Sequence, residues 1–186
     1  LAIKQVNEAG GVDGKKIVLV KYDNKSEPQE ATTLANKLID QDKVVAILGP
    51  ATSGSFMSQI PVAEKSKVPV ASGSATADEV TVDGSGVKEY AFRICFNDSY
   101  QGTGMANYAL NNLSKQKAVI IMDNSSDYGK GLAKNFEETF TDGGGTIVTK
   151  ESFVKGDTDF NAILTSIKGE DFDVIFLSGY YEEAGL

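Results

Sequence analysis

Val44-Val-Ala-Ile-Leu-Gly-Pro-Ala-Thr-Ser-Gly-Ser-Phe-Met-Ser58 decides how the rest of the chain is read. Val44 to Leu48 is continuously apolar and rich in β-branched residues, the pattern of a parallel-sheet strand buried on both faces. Gly49-Pro50 ends it. Thr52-Ser-Gly-Ser55 then places hydroxyls where a helix would begin, and Phe56, Met57, Ile60 and Ala63 continue apolar at helical spacing. Strand, tight turn and helix N-terminus in succession present free backbone N–H groups and the positive end of a helix dipole, which welcome a small anion. The same hydroxyls would also serve as helix caps. The next element favours a site. Val68-Pro-Val-Ala-Ser-Gly-Ser-Ala-Thr76 repeats a short apolar strand followed at once by small hydroxyl residues. Two adjacent strand ends of this kind make one polar crevice at the carboxyl edge of a sheet, where open α/β folds bind ligands.

Outward from this stretch, strand and helix patterns alternate. Leu1 to Ala9 reads as a helix stopped by Gly10-Gly11, and Lys16 to Tyr22 as a strand around Ile17-Val-Leu-Val20. Ala31, Leu34, Ala35, Leu38 and Ile39 fall on one helical face. Val80 to Lys88 reads as surface loop and Tyr90 to Phe96 as a strand. Asn97-Asp-Ser-Tyr-Gln-Gly-Thr-Gly104 is polar and shows no apolar periodicity, so a crossover between lobes is expected there, dividing the chain into 1–96 and 97–186. Met105, Tyr108, Ala109 and Leu113 mark a helix, and Lys117 to Met122 a buried strand. Leu132, Ala133, Phe136 and Phe140 carry the next helix, halted by Gly143-Gly-Gly145. Strand Thr146 to Phe153, a helix through Phe160, Ile163, Leu164 and Ile167, and strand Phe172 to Leu177 complete the series. Glu182-Glu183 open a last helix. This alternation predicts an α/β fold with parallel sheets. The order helix, Gly-Gly, strand, acidic turn, helix from Leu1 to Ile39 is echoed from Gly131 to Lys168. Two lobes of like topology explain the echo, and so does the ordinary βα rhythm.

Composition excludes several chemistries. The net charge of −8 disfavours nucleic acid, which requires a basic face. With no histidine, His-based acid–base catalysis and His metal sites are ruled out, and one cysteine cannot form an internal disulfide or a thiolate zinc site. Cys95, between Ile94 and Phe96, reads as an inert core thiol. Gly10-Gly-Val-Asp-Gly14-Lys15-Lys16 has the wrong spacing for a phosphate loop and runs from helix into strand, the reverse of the order that mechanism needs. No G-x-G-x-x-G follows a strand, and no G-x-S-x-G appears. Asp123 and Asp127 read as turn and cap residues. The chemistry that remains is binding: Ser53, Ser74, Thr76, Tyr128 and Tyr180 stand at strand ends. Hydroxyls and helix N-termini suit a carboxylate, and Tyr rings offer a flat apolar wall with a polar tip.

These residues resemble a known family. Leu1-Ala-Ile-Lys, Val6-Asn-Glu-Ala-Gly-Gly-Val12, Ala46-Ile-Leu-Gly-Pro50, Thr52-Ser-Gly54, Pro61-Val-Ala-Glu-Lys65, Phe92-Arg93, Gln101-Gly102, Asp127-Tyr-Gly-Lys-Gly131 and Gly179-Tyr-Tyr181 together are similar to the branched-chain amino-acid-binding proteins, type I periplasmic binding proteins that serve ABC importers. The resemblance implies two Rossmann-like lobes closing on leucine, isoleucine or valine, without catalysis or cofactor. It gives Ser53 and Thr76 the ligand carboxylate and the Ser74 carbonyl the α-ammonium. Tyr128 covers the ligand and Tyr180 adds a contact, unless Tyr181 faces the cleft instead. It implies an ABC permease as partner, a monomer, and a location outside the cytoplasm, in the periplasm or lipid-anchored at the outer face of the cell membrane. By the same resemblance the family's first strand precedes Leu1, and the remainder of the second lobe, with an acidic partner for the ammonium, follows Leu186. A ligand-binding sensor domain of the same fold is the alternative, and an enzyme acting on amides or nucleotides a third class.

Overall fold

The computed structural model describes residues 1–186. The chain runs α1 (Ala2–Glu8), α2 (Pro28–Asp40), β1 (Ile47–Leu48), α3 (Ser53–Ser66), β2 (Val70–Ser72), a 3₁₀ turn (Asp78–Val80), the hairpin β3 (Val82–Asp83) and β4 (Gly86–Val87), and β5 (Ala91–Arg93). Next come α4 (Asp98–Asn107) with a wider turn at its end (Tyr108–Asn112), β6 (Lys117–Asp123), α5 (Asp127–Asp142), β7 (Thr146–Phe153), α6 (Asn161–Ile167), β8 (Val174–Ser178) and α7 (Tyr181–Ala184). Two parallel sheets form, in the orders β1-β2-β5 and β7-β6-β8. The short β3–β4 hairpin is antiparallel. The α/β class with parallel sheets is therefore as expected.

Each sheet has its own core. Ile47, Val70 and Ala91, in register across the first sheet, pack with Phe56, Ile60 and Ala63 of α3 and Ala35 of α2. In the second sheet β6 is covered on both faces. Ala118 and Ile120 meet Leu132, Phe136 and Phe140 of α5, while Val119 and Ile121 meet Phe153 and Ile167. This two-sided cover is why Lys117–Asp123 reads as an unbroken apolar run. Phe136 stacks on Phe176 of β8 at 3.9 Å between ring centroids.

The structure corrects several readings. The strand expected at Val44 to Leu48 is only Ile47–Leu48, and it is buried on one face only: Ile47 is buried and Leu48 79% exposed. Leu48, Ala71 and Phe92 share a register row on the face opposite α3, and Phe92 too is exposed, because no helix covers that side. Ile17 to Val20 is not a strand, since no strand of residues 1–186 lies beside it to complete a ladder. Ile17 is held instead by Asn7, whose side chain donates to its carbonyl at 2.9 Å and accepts its N–H at 2.7 Å. The proposed internal echo therefore lacks its strand in the first copy. The loop expected at Val80 to Lys88 contains the β3–β4 hairpin, and Val80 is fully buried in the first core.

Asn97 to Gly104, expected as an irregular crossover, is mostly helix. Asn97 caps α4, its side chain accepting the Tyr100 N–H at 3.2 Å. Apolar periodicity is missing because glycine makes the contact: a Cβ at Gly102 would lie 2.7 Å from Asn135 Cβ and 2.8 Å from Phe136 N of α5. Small residues let the two helix backbones approach closely.

Candidate functional site

Both halves bring strand ends and helix N-termini to one cleft of about 560 Å³. On the first wall, Gly49 (φ +96°) turns the chain out of β1 in a conformation that favours glycine. Hydroxyls then stitch the ends of β1 and β2 together. Ser72 Oγ donates to the Pro50 carbonyl (2.9 Å) and accepts from Ala75 N–H (3.0 Å). Ser74 Oγ donates to the Ala51 carbonyl (2.8 Å). The hydroxyl of Ser74 is thus committed to the fold.

Ser53 opens α3 and is buried. Its Oγ accepts the Ala77 N–H at 3.1 Å, so its own O–H remains a donor. Thr52, the N-cap of α3, accepts no side-chain hydrogen bond from the helix, which leaves first-turn amides for an anion. Thr76, 8% exposed, is fixed through its carbonyl, which accepts from Arg93 Nη1 (3.1 Å) and from Asp98 N–H (2.8 Å). Arg93 also donates to the Ala77 carbonyl at 2.6 Å.

The second wall is built the same way. Ser178 Oγ, fully buried at the end of β8, donates to the Gly129 carbonyl in the first turn of α5 (2.6 Å). Ser126 caps that helix, accepting the Gly129 N–H at 3.2 Å. Asp123 is a turn residue, as expected, and accepts from Ser125 N–H (2.9 Å) and Oγ (2.6 Å). Tyr128 and Tyr180 stack with centroids 5.2 Å apart, and burial pushes both phenol pKa values up. Tyr181 also reaches the cleft but is 82% exposed. Tyr180 is the residue in the wall.

All five residues singled out from the sequence line this cleft: Ser53, Ser74 and Thr76 on one side, Tyr128 and Tyr180 on the other. Sequence reading missed Phe96, Gln101 and Cys95. Cys95 is not a core thiol, because β5 ends at Arg93, and Cys95 turns toward the cleft with Sγ 3.7 Å from the Ala75 carbonyl. It also missed Arg93, although as the only arginine of the chain it carried a visible signal.

Side chains bridge the two halves around the cleft. Asp78, in the 3₁₀ turn, accepts from Ser99 Oγ (2.9 Å) and N–H (3.2 Å) of α4 and from Asn135 Nδ2 (3.3 Å) of α5. Lys155, beyond β7, pairs with Glu27 at the start of α2 (2.9 Å). Asp98 is fully buried between the halves, and neither carboxylate oxygen has a hydrogen-bond partner. Burial pushes its pKa up to about 6. The Thr76 hydroxyl, short of hydrogen-bond geometry, opposes the rise, as does Arg93, while the charges of Asp78 and Glu79 reinforce it. No cluster of three or more Cys, Asp or Glu is placed to hold a metal ion.

Comparison with known proteins agrees with this geometry. The sequence profile described as "Periplasmic binding protein" matches residues 1–184. The Leu/Ile/Val-binding protein BraC3 of Rhizobium johnstonii is 36% identical over 185 residues, 100% of this chain and 49% of that protein. The leucine-specific-binding protein of Salmonella typhimurium is 33% identical, over 99% of this chain and 48% of that protein. The chain thus spans about half the length of the curated relatives it matches. Among solved structures, the branched-chain amino acid transporter substrate-binding protein LivJ of Streptococcus pneumoniae, in complex with isoleucine, is 48% identical. It superposes with a TM-score of 0.89 over 99% of this chain and 51% of that one. A solute-binding protein of R. palustris in complex with benzoate is 26% identical, with a TM-score of 0.85 over 99% of this chain and 50% of that one. Two parallel sheets whose strand ends meet at one cleft, together with a match over nearly every residue, establish that the chain belongs to the periplasmic binding protein family.

Proposed function

We propose that this chain forms the capturing cleft of an extracytoplasmic solute-binding protein. It takes branched-chain or similar small amino acids and hands them to the permease of an ABC importer, with no catalytic step. The observation that carries this reading is the division of labour in the cleft. One wall offers the Ser53 hydroxyl, Thr76 and the uncapped first turn of α3, which suit a carboxylate. The other offers the stacked faces of Tyr128 and Tyr180, which suit an apolar side chain. Residues 1–96 act as one lobe and 97–186 as part of the second, and ligand shifts an equilibrium between open and closed forms. No helix of residues 1–186 is long and apolar enough to cross a membrane.

A carboxylate ligand is supported by two relatives, one in complex with isoleucine and the other with benzoate. A thermal-shift panel on the full chain separates these: leucine, isoleucine, valine, benzoate and a sugar as blank. Stabilisation by leucine, isoleucine or valine is expected, with benzoate near the blank. If no amino acid raises the melting temperature, the proposal is wrong.

A further inference from the structure

We propose that Arg93 is the positioning residue of the carboxylate-binding wall: it pins both ends of the loop 73–77 and thereby sets Ser53 and Thr76, the donors on which preference for a free carboxylate depends. The inference rests on the amino-acid reading above and deepens it. The loop leaves β2 at Ser72 and brings Ser74 and Thr76 to the cleft. Its amides turn to side chains. Ser74 N–H and Ala75 N–H donate to Ser72 Oγ (3.3 and 3.0 Å), and Ala77 N–H donates to Ser53 Oγ (3.1 Å).

One residue of β5 holds this loop at both ends. The backbone takes the first end: Arg93 stands opposite Ser72 in the parallel ladder, and the next N–H, of Ile94, donates to the Ser72 carbonyl at 3.1 Å. The side chain takes the last end. Arg93 lies two residues past Ala91 and so shares the face of the sheet that α3 covers. From there Nη1 donates to the Thr76 carbonyl at 3.1 Å and to the Ala77 carbonyl at 2.6 Å. Neither carbonyl needs the guanidinium merely to be paired. Thr76 already accepts from Asp98 N–H (2.8 Å) and Ala77 from Val80 N–H (3.1 Å). Arg93 takes the second lone pair of each, and ties β5 to the 3₁₀ turn and to α4 at that point. The consequence runs through a single peptide unit. The Thr76 carbonyl and the Ala77 N–H belong to one planar amide, so fixing the carbonyl fixes the direction of the N–H. That N–H occupies Ser53 Oγ as acceptor and leaves the Ser53 O–H as donor. The orientation of Ser53 is therefore inherited from Arg93. A rigid, planar guanidinium suits two successive carbonyls in a way that an ammonium on a flexible stem does not.

The test measures leucine and leucinamide, which keeps the ammonium and the side chain but has no free carboxylate, by calorimetry on the full chain, on Arg93→Met and on Arg93→Lys. Leucine affinity falls about tenfold in Arg93→Met, as for the loss of one hydrogen bond to a charged group, and about threefold in Arg93→Lys, which keeps the charge and one carbonyl bond. The weaker binding of leucinamide changes by less than about twofold in both, whereas general loosening of the fold would weaken the two ligands alike. Amide exchange followed by NMR gives a readout without ligand. The Ala77 and Asp98 N–H groups exchange about tenfold faster in Arg93→Met and about threefold faster in Arg93→Lys, while Ile120 in β6 keeps its wild-type rate. Arg93→Lys carries both arms if Arg93→Met folds poorly. Equal losses for the two ligands, unchanged leucine binding, or exchange that rises equally at Ala77 and Ile120 overturns the positioning role and leaves the amino-acid reading standing. If wild type binds none of leucine, isoleucine and valine, that reading falls, and the exchange rates by themselves decide whether Arg93 sets the loop.

Discussion

Replacing Gly129 by alanine tests whether the second wall depends on a close approach between α5 and the sheet beneath it. A Cβ at this position would lie 2.5 Å from the Asp123 carbonyl oxygen, 3.2 Å from Asp123 Cβ and 3.2 Å from the Ser178 carbonyl oxygen, against an ordinary contact of 3.4–4 Å. Two of those atoms are backbone of β6 and β8 and cannot rotate away, so the first turn of α5 has to lift by about 1 Å. Overpacking of this kind costs about 1–3 kcal/mol. The Ser178 hydrogen bond to the Gly129 carbonyl stretches with it, at up to about 1 kcal/mol more. Alanine returns about 1 kcal/mol of helix propensity, which leaves a net loss of about 0–3 kcal/mol. Gly104→Ala is the matched control. Gly104 is exposed within α4, and a Cβ there meets nothing within 4 Å, so the same substitution stabilises by about 0.5–1 kcal/mol. Urea titrations of both variants should place their midpoints on opposite sides of wild type. Because Gly129 follows Tyr128, its variant should also lose leucine affinity. Equal stability of the two variants would refute the close-approach reasoning.

Other outcomes follow from single contacts. Ser126→Ala removes the cap of α5 and should lower stability by about 1 kcal/mol, read from the urea midpoint. Ser53→Ala leaves the buried Ala77 N–H unpaired. It should cost about 1–2 kcal/mol of stability and, by calorimetry, at least about tenfold in leucine affinity. The folded pKa of Asp98 is raised from 3.8 to about 6, so its protonation favours the fold most below pH 3.8, and that contribution fades as pH rises through 6. Asp98→Asn should therefore gain stability on wild type between pH 4 and pH 7, by up to about 3 kcal/mol. Urea midpoints at the two pH values measure it, and an unchanged difference would contradict the burial of an ionised carboxylate.

The second sheet was legible because its strands are covered on both faces or bounded by clear stops. Lys117–Asp123 and Thr146–Phe153 announce themselves as long apolar or alternating runs, and Gly143-Gly-Gly145 ends α5 where the pattern says. The first half was harder. Val44 to Leu48 and Ile17 to Val20 have the composition of buried strands, yet composition records what a segment can bury, and burial also needs a neighbour. The helix at Asp98–Asn107 hid because its packing face is glycine and alanine, which carry no amphipathic signal. The five cleft residues were visible as hydroxyls and tyrosines just past apolar runs. Cys95 and Gln101 were not, since Cys95 sits between the apolar Ile94 and Phe96 and Gln101 within a stretch that shows no helical periodicity. Asp98 had no signal at all. An aspartate in the first turn of a helix reads as a complement to the dipole, and only the tertiary fold buries it.

The ion pair between Glu27 and Lys155 has a consequence for gating. Its partners stand 128 positions apart in the chain and belong to opposite halves, yet their side chains are 58% and 54% exposed. Such a pair contributes about 0–1 kcal/mol, and dissolved salt weakens it further. A clasp of that strength holds the halves together only as firmly as the medium allows. Concentrated electrolyte would loosen it without touching the Ser53 or Tyr128 walls, so the dwell time of a trapped ligand becomes a property of the surroundings as well as of the cleft.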